Sequence, residues 1–266
     1  MKVAQQAFGL LAANPNADDE VREESLFHLL GIAVENREFK ETVTVSEQLL
    51  KRYPKSKHRY AVRFYRSEAH YQLKQFDDAD QALSKLKSET DPTATKADWF
   101  PRVWILLGEL QLRRKKYYDV EQTVEELRSL HPKSPLLYQA DEILGRSYKN
   151  RARFDEARAA FQRVIDHPQG SRTETAAKSQ LLLAETYLLQ KQYRKALLAY
   201  FKVYSGYKFP EWQAPALYQV GVCDEALGQW KNAVKTYEDL LKEFPKSEYA
   251  ELAKSRLSVA RIKAKR

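Results

Sequence analysis

Apolar residues recur at helical spacing along the whole chain, and proline interrupts the pattern at near-regular intervals. Pro15, Pro54, Pro92, Pro132, Pro168, Pro210 and Pro245 follow one another at steps of 39, 38, 40, 36, 42 and 35 residues. Between successive prolines the apolar positions fall into two amphipathic runs with a turn between them. The i, i+3/i+4, i+7 spacing predicts a helix for each run, and proline ends each unit because it cannot continue a helix interior. The predicted pairs are 21–35 with 38–52, 58–73 with 76–88, 98–114 with 117–130, 135–150 with 154–166, 172–190 with 193–205, and 212–227 with 230–243. A last helix over 247–263 follows Pro245. Its Ala250, Leu252, Ala253, Leu257 and Ala260 form an apolar side opposite a basic one, as suits a terminal cap.

The units repeat in residue type as well as in length. The first helix of a pair holds a small residue at Gly108, Gly145, Ala184 and Gly221, which lets the second helix approach closely. The second helix returns a small residue at Ala79, Ala157, Ala196 and Ala233. An aromatic opens each second helix: Phe39, Phe76, Tyr117, Phe154, Tyr193 and Trp230. The first two units are more degenerate, with Thr42 where alanine is expected and Ser67 at the small position. Repetition with a period of this length means that each pair buries its apolar face on its neighbours, giving an elongated all-α solenoid.

The N-terminal segment 3–12, with Phe8, Leu10 and Leu11, has the pattern of a second helix without its first. Two readings stand: a natural N-terminal cap, or a chain that is a piece of a longer protein.

These positions resemble the tetratricopeptide repeat. The third unit carries Trp104, Leu107, Gly108, Tyr117 and Pro132. The fourth has Leu144, Gly145, Tyr148, Phe154, Ala157 and Phe161; the fifth Leu183, Ala184, Tyr187, Tyr193, Ala196 and Tyr200. The sixth has Val220, Gly221, Gly228, Trp230, Ala233, Tyr237 and Pro245. The resemblance implies a right-handed α-α superhelix of about 14 helices. It implies a single domain over 1–266: a half repeat at 1–16, repeats at 21–54, 58–91, 98–132, 135–168, 172–208 and 212–245, and a capping helix at 247–263. A narrower resemblance lies at the junctions. Tyr53-Pro54-Lys55-Ser56, His131-Pro132-Lys133-Ser134 and Phe244-Pro245-Lys246-Ser247 are similar to those of bacterial cell-envelope members, such as the outer-membrane assembly lipoprotein and the Tol-Pal coordinating protein. The lipid-bearing cysteine of the former and the coiled coil of the latter are not in this chain. Each junction serine is expected to cap the next helix.

The formal net charge is +9, and residues 246–266 carry seven Lys or Arg against two Glu. That tail reads as the solvated side of the capping helix. No apolar run approaches the roughly 20 residues that span a bilayer, and no signal-peptide pattern is visible. The one cysteine, Cys223, sits between apolar neighbours and is expected in the core. The five histidines fall in no metal-ligand or H-E-x-x-H arrangement. There is no glycine-rich phosphate loop or nucleophile elbow, and acid pairs such as Asp77-Asp78 and Glu125-Glu126 lie on solvated helix faces. The expectation is a protein that is not an enzyme and takes no cofactor.

In the family the first helices line a concave groove. The resemblance places there Phe27 and Val34; Phe64, Glu68 and Tyr71; Arg102, Ile105, Glu109 and Leu112; Gln139, Glu142, Arg146 and Lys149; Leu181, Glu185, Leu188 and Leu189; and Tyr218, Val222 and Glu225. Apolar anchors alternate with single charges of both signs, which suits a peptide or a partner's helix. The family subset that clamps a terminal carboxylate uses Lys and Asn where this chain has Phe64, Glu68, Ile105 and Glu109, so that mode is not expected. The leading expectation is a protein-interaction scaffold within a bacterial multiprotein assembly. The alternative is a nucleic-acid-binding solenoid using Arg113-Arg114-Lys115-Lys116 and the cluster Lys51, Arg52, Lys55, Lys57, His58 and Arg59. Self-association through the solenoid ends is left open.

Overall fold

The structure, a computed structural model, describes residues 2–265. Among them it is all α. Two compact units divide the chain, Met1–Lys115 and Lys116–Arg266. The first holds α1 (Lys2–Ala13), α2 (Asp19–Glu35), α3 (Phe39–Arg52), α4 (Arg59–Gln72), α5 (Phe76–Lys87), α6 (Pro92–Thr95) and α7 (Arg102–Arg113). The second holds α8 (Tyr117–Leu130), α9 (Leu137–Asn150), α10 (Phe154–Asp166), α11 (Glu174–Leu189), α12 (Tyr193–Gly206), α13 (Pro210–Ala226), α14 (Trp230–Glu243) and α15 (Tyr249–Ala264).

Most elements lie within a few residues of their predicted bounds, and segment 88–101 departs from them. The helix predicted from 98 begins at Arg102, and the additional one-turn α6 precedes it. Asp91 starts α6 by accepting the Thr93 N–H at 2.8 Å. The chain then turns through i→i−3 bonds, Phe100 N–H to Ala97 and Arg102 N–H to Trp99. Pro101 disfavours helical dihedrals at the residue before it, and the turn buries Phe100 and stacks Trp99 on Phe64 at 4.9 Å.

Each first helix ends in the same turn. Arg37, Lys74, Lys115, Ala152, Lys191 and Gly228 adopt φ between 57° and 72°. The following amide reaches back to the helix, as Gln192 N–H does to Tyr187 O at 2.9 Å. This left-handed cap satisfies orphan carbonyls and is usually glycine; only the last of the six turns has it. A left-handed L-residue costs roughly 1–2 kcal/mol, and glycine returns about 0.5–1 of that as unfolded-state entropy. Lys191→Gly and Ala152→Gly are therefore each expected to stabilise the chain by about 0.5–1 kcal/mol, read as a higher denaturant midpoint. The exposed helix-interior control Ala159→Gly should lower it by about 1 kcal/mol.

The junction serines stand one or two residues ahead of the expected cap position. Ser56, Ser134 and Ser247 accept the N–H two residues on, from His58, Leu136 and Tyr249, at 3.0, 3.2 and 3.3 Å. They close a serine turn ahead of α4, α9 and α15 and do not occupy the cap position itself, because the turn after each proline needs its own local acceptor.

The core is built from pairs sixteen residues apart. Gly145 faces Phe161, and Gly221 faces Tyr237; both large side chains are fully buried. A Cβ added at Gly145 would lie 2.5 Å from the Phe161 ring, and one at Gly221 would lie 2.4 Å from the Tyr237 ring. The small residue is thus a spatial requirement. Ala184 stands at the same offset from the buried Tyr200. Cys223 is buried with them, and burial pushes its thiol up to about 12.

Within each unit the first helices touch one another, α2 with α4 and α4 with α7, α9 with α11, α11 with α13 and α13 with α15. Among the described residues the second helices α3 and α5 make no such contact, nor do α8 and α10, α10 and α12, or α12 and α14. The layer whose members approach is the inside of a bend. The first-helix face of each unit is therefore its concave side.

Candidate functional site

The two concave faces carry charges that pair across neighbouring first helices. In the first unit, Glu24 on α2 receives Lys57 at 2.7 Å and His58 at 3.1 Å, and Glu68 on α4 receives Arg102 on α7. In the second, Glu142 on α9 pairs with Lys178 on α11 at 2.8 Å, and Lys149 with Glu185 at 2.5 Å. Further along, Trp212 Nε1 donates to Glu174 at 3.1 Å, and Arg256 on α15 grips Glu225 on α13 at 3.0 Å. The hydrogen bond from Lys57, then that from His58, holds the Glu24 carboxyl below its usual range. The more exposed of these pairs contribute at most about 1 kcal/mol each; Glu142 is buried. Their main effect is to fix the register of one first helix on the next.

The predicted groove residues divide by burial. The position after the small residue is half-buried in every well-defined pair: Glu68, Glu109, Arg146, Glu185 and Val222. Three residues before the small position the outcome varies. Ile105 and Tyr218 are half-buried, whereas Phe64 and Leu181 are 1% and 7% exposed. Phe64 lies under Trp99, and Leu181 belongs to the core of α10–α13. Leu112, at 6%, is buried too. These three present almost no surface. Tyr71 and Leu188 are half-buried, and Tyr71 meets Phe76 edge-on at 5.8 Å. Tyr218 leans on Tyr249 at 5.4 Å. Arg102 is exposed and joined to Glu68, while Arg146 contacts Glu142 on its own helix at 3.4 Å.

Two neighbours missed in the sequence take over the open surface. Tyr65 and Leu182, one residue beyond Phe64 and Leu181, are half-buried, and Leu189 is 60% exposed. A single residue step rotates a helix by about 100°, enough to exchange a core position for a surface one. In the first unit Tyr65, Glu68 and Arg102 line a pocket of about 330 Å³ together with Val34, Phe39 and Gln72. Its lining mixes Tyr65, Phe39 and Val34 with the polar Arg37, Thr42 and Gln72 and the Glu68–Arg102 ion pair. Burial, and secondarily the Glu68 charge, raises the Tyr65 phenol, so it stays a neutral hydrogen-bonding group.

Several members of the two basic clusters are engaged within the fold. Arg114 pairs with Asp77 and Asp80, Arg113 lies over the Phe76 ring at 4.4 Å, and Arg59 pairs with Asp91 at 2.7 Å. Among the described residues no group of His, Cys, Asp and Glu could hold a metal ion. No described helix is long and apolar enough to cross a membrane.

This is an all-α helical-repeat fold with concave faces formed by the first helix of each pair. Residues 144–207 and 215–247 each match a family model of the tetratricopeptide repeat. Both matches fall within the second unit, and over those residues the chain has the tetratricopeptide pattern, a module of protein-interaction scaffolds. Solved structures agree on the fold. PilW, described as a widely conserved type IV pilus biogenesis factor, is 19% identical over 89% of this chain and 99% of its own, with a TM-score of 0.61. PilF of Pseudomonas aeruginosa is 14% identical over 88% and 97%, also at 0.61. A tetratricopeptide repeat protein from Parabacteroides merdae is 16% identical over 97% and 90%, at 0.58. No curated protein sequence matches the chain.

Proposed function

We propose that the chain is a non-catalytic scaffold that binds a peptide or a partner's helix on its concave first-helix faces, as one array of repeats within a bacterial multiprotein assembly. The observation that carries the proposal is the open stripe of each face: Tyr65, Ile105, Leu182, Leu188 and Leu189 stand beside charges already locked into register. A peptide can bury those side chains without first breaking a disordered surface, and preformed sites lose less entropy on binding. The likeness to pilus biogenesis factors supports the assembly part. The ion pairs of Arg59 and Arg114, one in each basic cluster, favour this reading over nucleic-acid binding, which would draw on those cations for phosphate.

The experiment is capture of partners by the wild-type chain and by Leu188→Glu/Leu189→Glu. Leu189 is 60% exposed and Leu188 only partly buried at the edge of the core, and circular dichroism checks that the variant folds. Loss of a discrete bound protein with the variant is expected, on the order of tenfold or more in affinity. Equal capture by both baits overturns the second unit's part in binding.

A further inference from the structure

A second surface lies on the opposite side of the second unit. Helices α10 and α12 each pack against α11 and not on each other, which leaves a trough floored by α11. It has a volume of about 430 Å³ and is lined by Leu183 and Gln180 below, with Arg158, Lys195, Leu198 and Lys202 along the walls. Leu198 is 58% exposed, and Phe201, one turn further along α12, is 47% exposed. Together they form a small exposed apolar strip beside the trough.

Among the described residues the charged side chains that line it are all basic. No carboxylate lines the trough. Among the second helices of the six pairs, α12 alone contains no Asp or Glu: its sequence is YRKALLAYFKVYSG. Arg158 is anchored by Asp155, by Thr186 at 3.1 Å and by Gln190 at 2.8 Å, and it caps the Tyr187 ring at 4.5 Å. Lys195 lies over the Tyr187 ring at 5.7 Å, and among the described residues neither Lys195 nor Lys202 forms an ion pair. They flank Leu198 at three residues before and four after, so both ammonium groups border the same apolar strip.

We propose that this trough docks an acidic amphipathic helix of a partner protein, laying leucine-like side chains along Leu198 and Leu183 and carboxylates against Lys195 and Lys202. A helix-in-groove occupant suits a straight channel between two helices. Unpaired lysines beside an apolar floor supply both the orientation and the on-rate that charge complementarity gives. The surface is separate from the concave faces, so either can fail without the other.

The test uses the full chain and a labelled, end-blocked 14-residue helical peptide with leucine at i, i+3, i+4 and i+7 and glutamate at the exposed positions. Binding tighter than ~100 µM at low salt is expected. Lys195→Glu/Lys202→Glu should weaken it at least tenfold, and so should the same peptide with glutamine for glutamate. Both lysines are exposed, so the variant should fold, verified by circular dichroism. Leu188→Glu/Leu189→Glu should leave the affinity unchanged. No peptide binding, equal binding by the lysine variant, or loss with the α11 variant instead overturns the proposal. Binding of phosphatidylglycerol vesicles or of a single-stranded DNA oligonucleotide in place of the peptide overturns it as well.

Discussion

Replacing Phe161 with alanine is expected to destabilise the chain by about 3–5 kcal/mol, the usual cost of emptying a fully buried aromatic site. The ring has no exposure and fills the space opened by Gly145, where even one added carbon would stand 2.5 Å from it. The partner change, Gly145→Ala, should cost about 1–3 kcal/mol in the wild type through overpacking. In the Phe161→Ala background the same added methyl enters a cavity, so its effect should fall to zero or change sign. Denaturant unfolding of the four chains gives the coupling energy directly, and contacting residues should show a clear one. Additive effects would mean that the two residues do not share a space. Repeat arrays can lose two-state behaviour, so the transitions should be followed by two probes.

Asp224 provides the second large effect, and its sign depends on pH. The side chain is 3% exposed and receives one weak bond, from Thr236 Oγ1 at 3.3 Å. Burial pushes its carboxyl from 3.8 up to about 6, against a smaller lowering by Thr236. The folded state therefore holds a proton more tightly than the unfolded state. Stability from this group is fully present below about pH 4, is lost as pH rises from there through 6, and stays lost above. At about 1.4 kcal/mol per pH unit, the charged carboxylate costs up to about 3 kcal/mol at pH 7. Asp224→Asn should be more stable than the wild type by up to that amount at pH 7, and the difference should vanish near pH 4. Melting both proteins between pH 4 and 8 tests it. Parallel curves would show that Asp224 finds a compensating partner when ionised.

Much of the fold was legible because its determinants are local. The proline steps, the small residue in each first helix and the large one sixteen positions later place most helices within a few residues, as in Gly145 with Phe161 and Gly221 with Tyr237. The exceptions have physical causes. Trp99 prefers to stack on Phe64, so a turn replaces the first part of the helix expected before Arg102. Five turns use Arg, Lys or Ala in the left-handed region, where composition gives no glycine to announce them. The candidate faces were legible only in outline. Which helix face is open depends on what packs over it, and that sank Phe64, Leu112 and Leu181 while raising Tyr65 and Leu182. Charges such as Glu68 and Arg102, or Lys149 and Glu185, meet only because adjacent first helices lie side by side, a juxtaposition across some 35 residues that no single-helix pattern encodes.

The most direct test of the scaffold reading is site-specific photo-crosslinking in the native host extract. A photoreactive residue would be placed at Glu68, Glu185 or Leu189 on the concave faces, and at the exposed Glu125 or Asn232 on the second helices. A discrete protein adduct from the concave positions, absent from Glu125 and Asn232, is the predicted result. Adducts confined to the second-helix positions, or none at all from the concave faces, would contradict it.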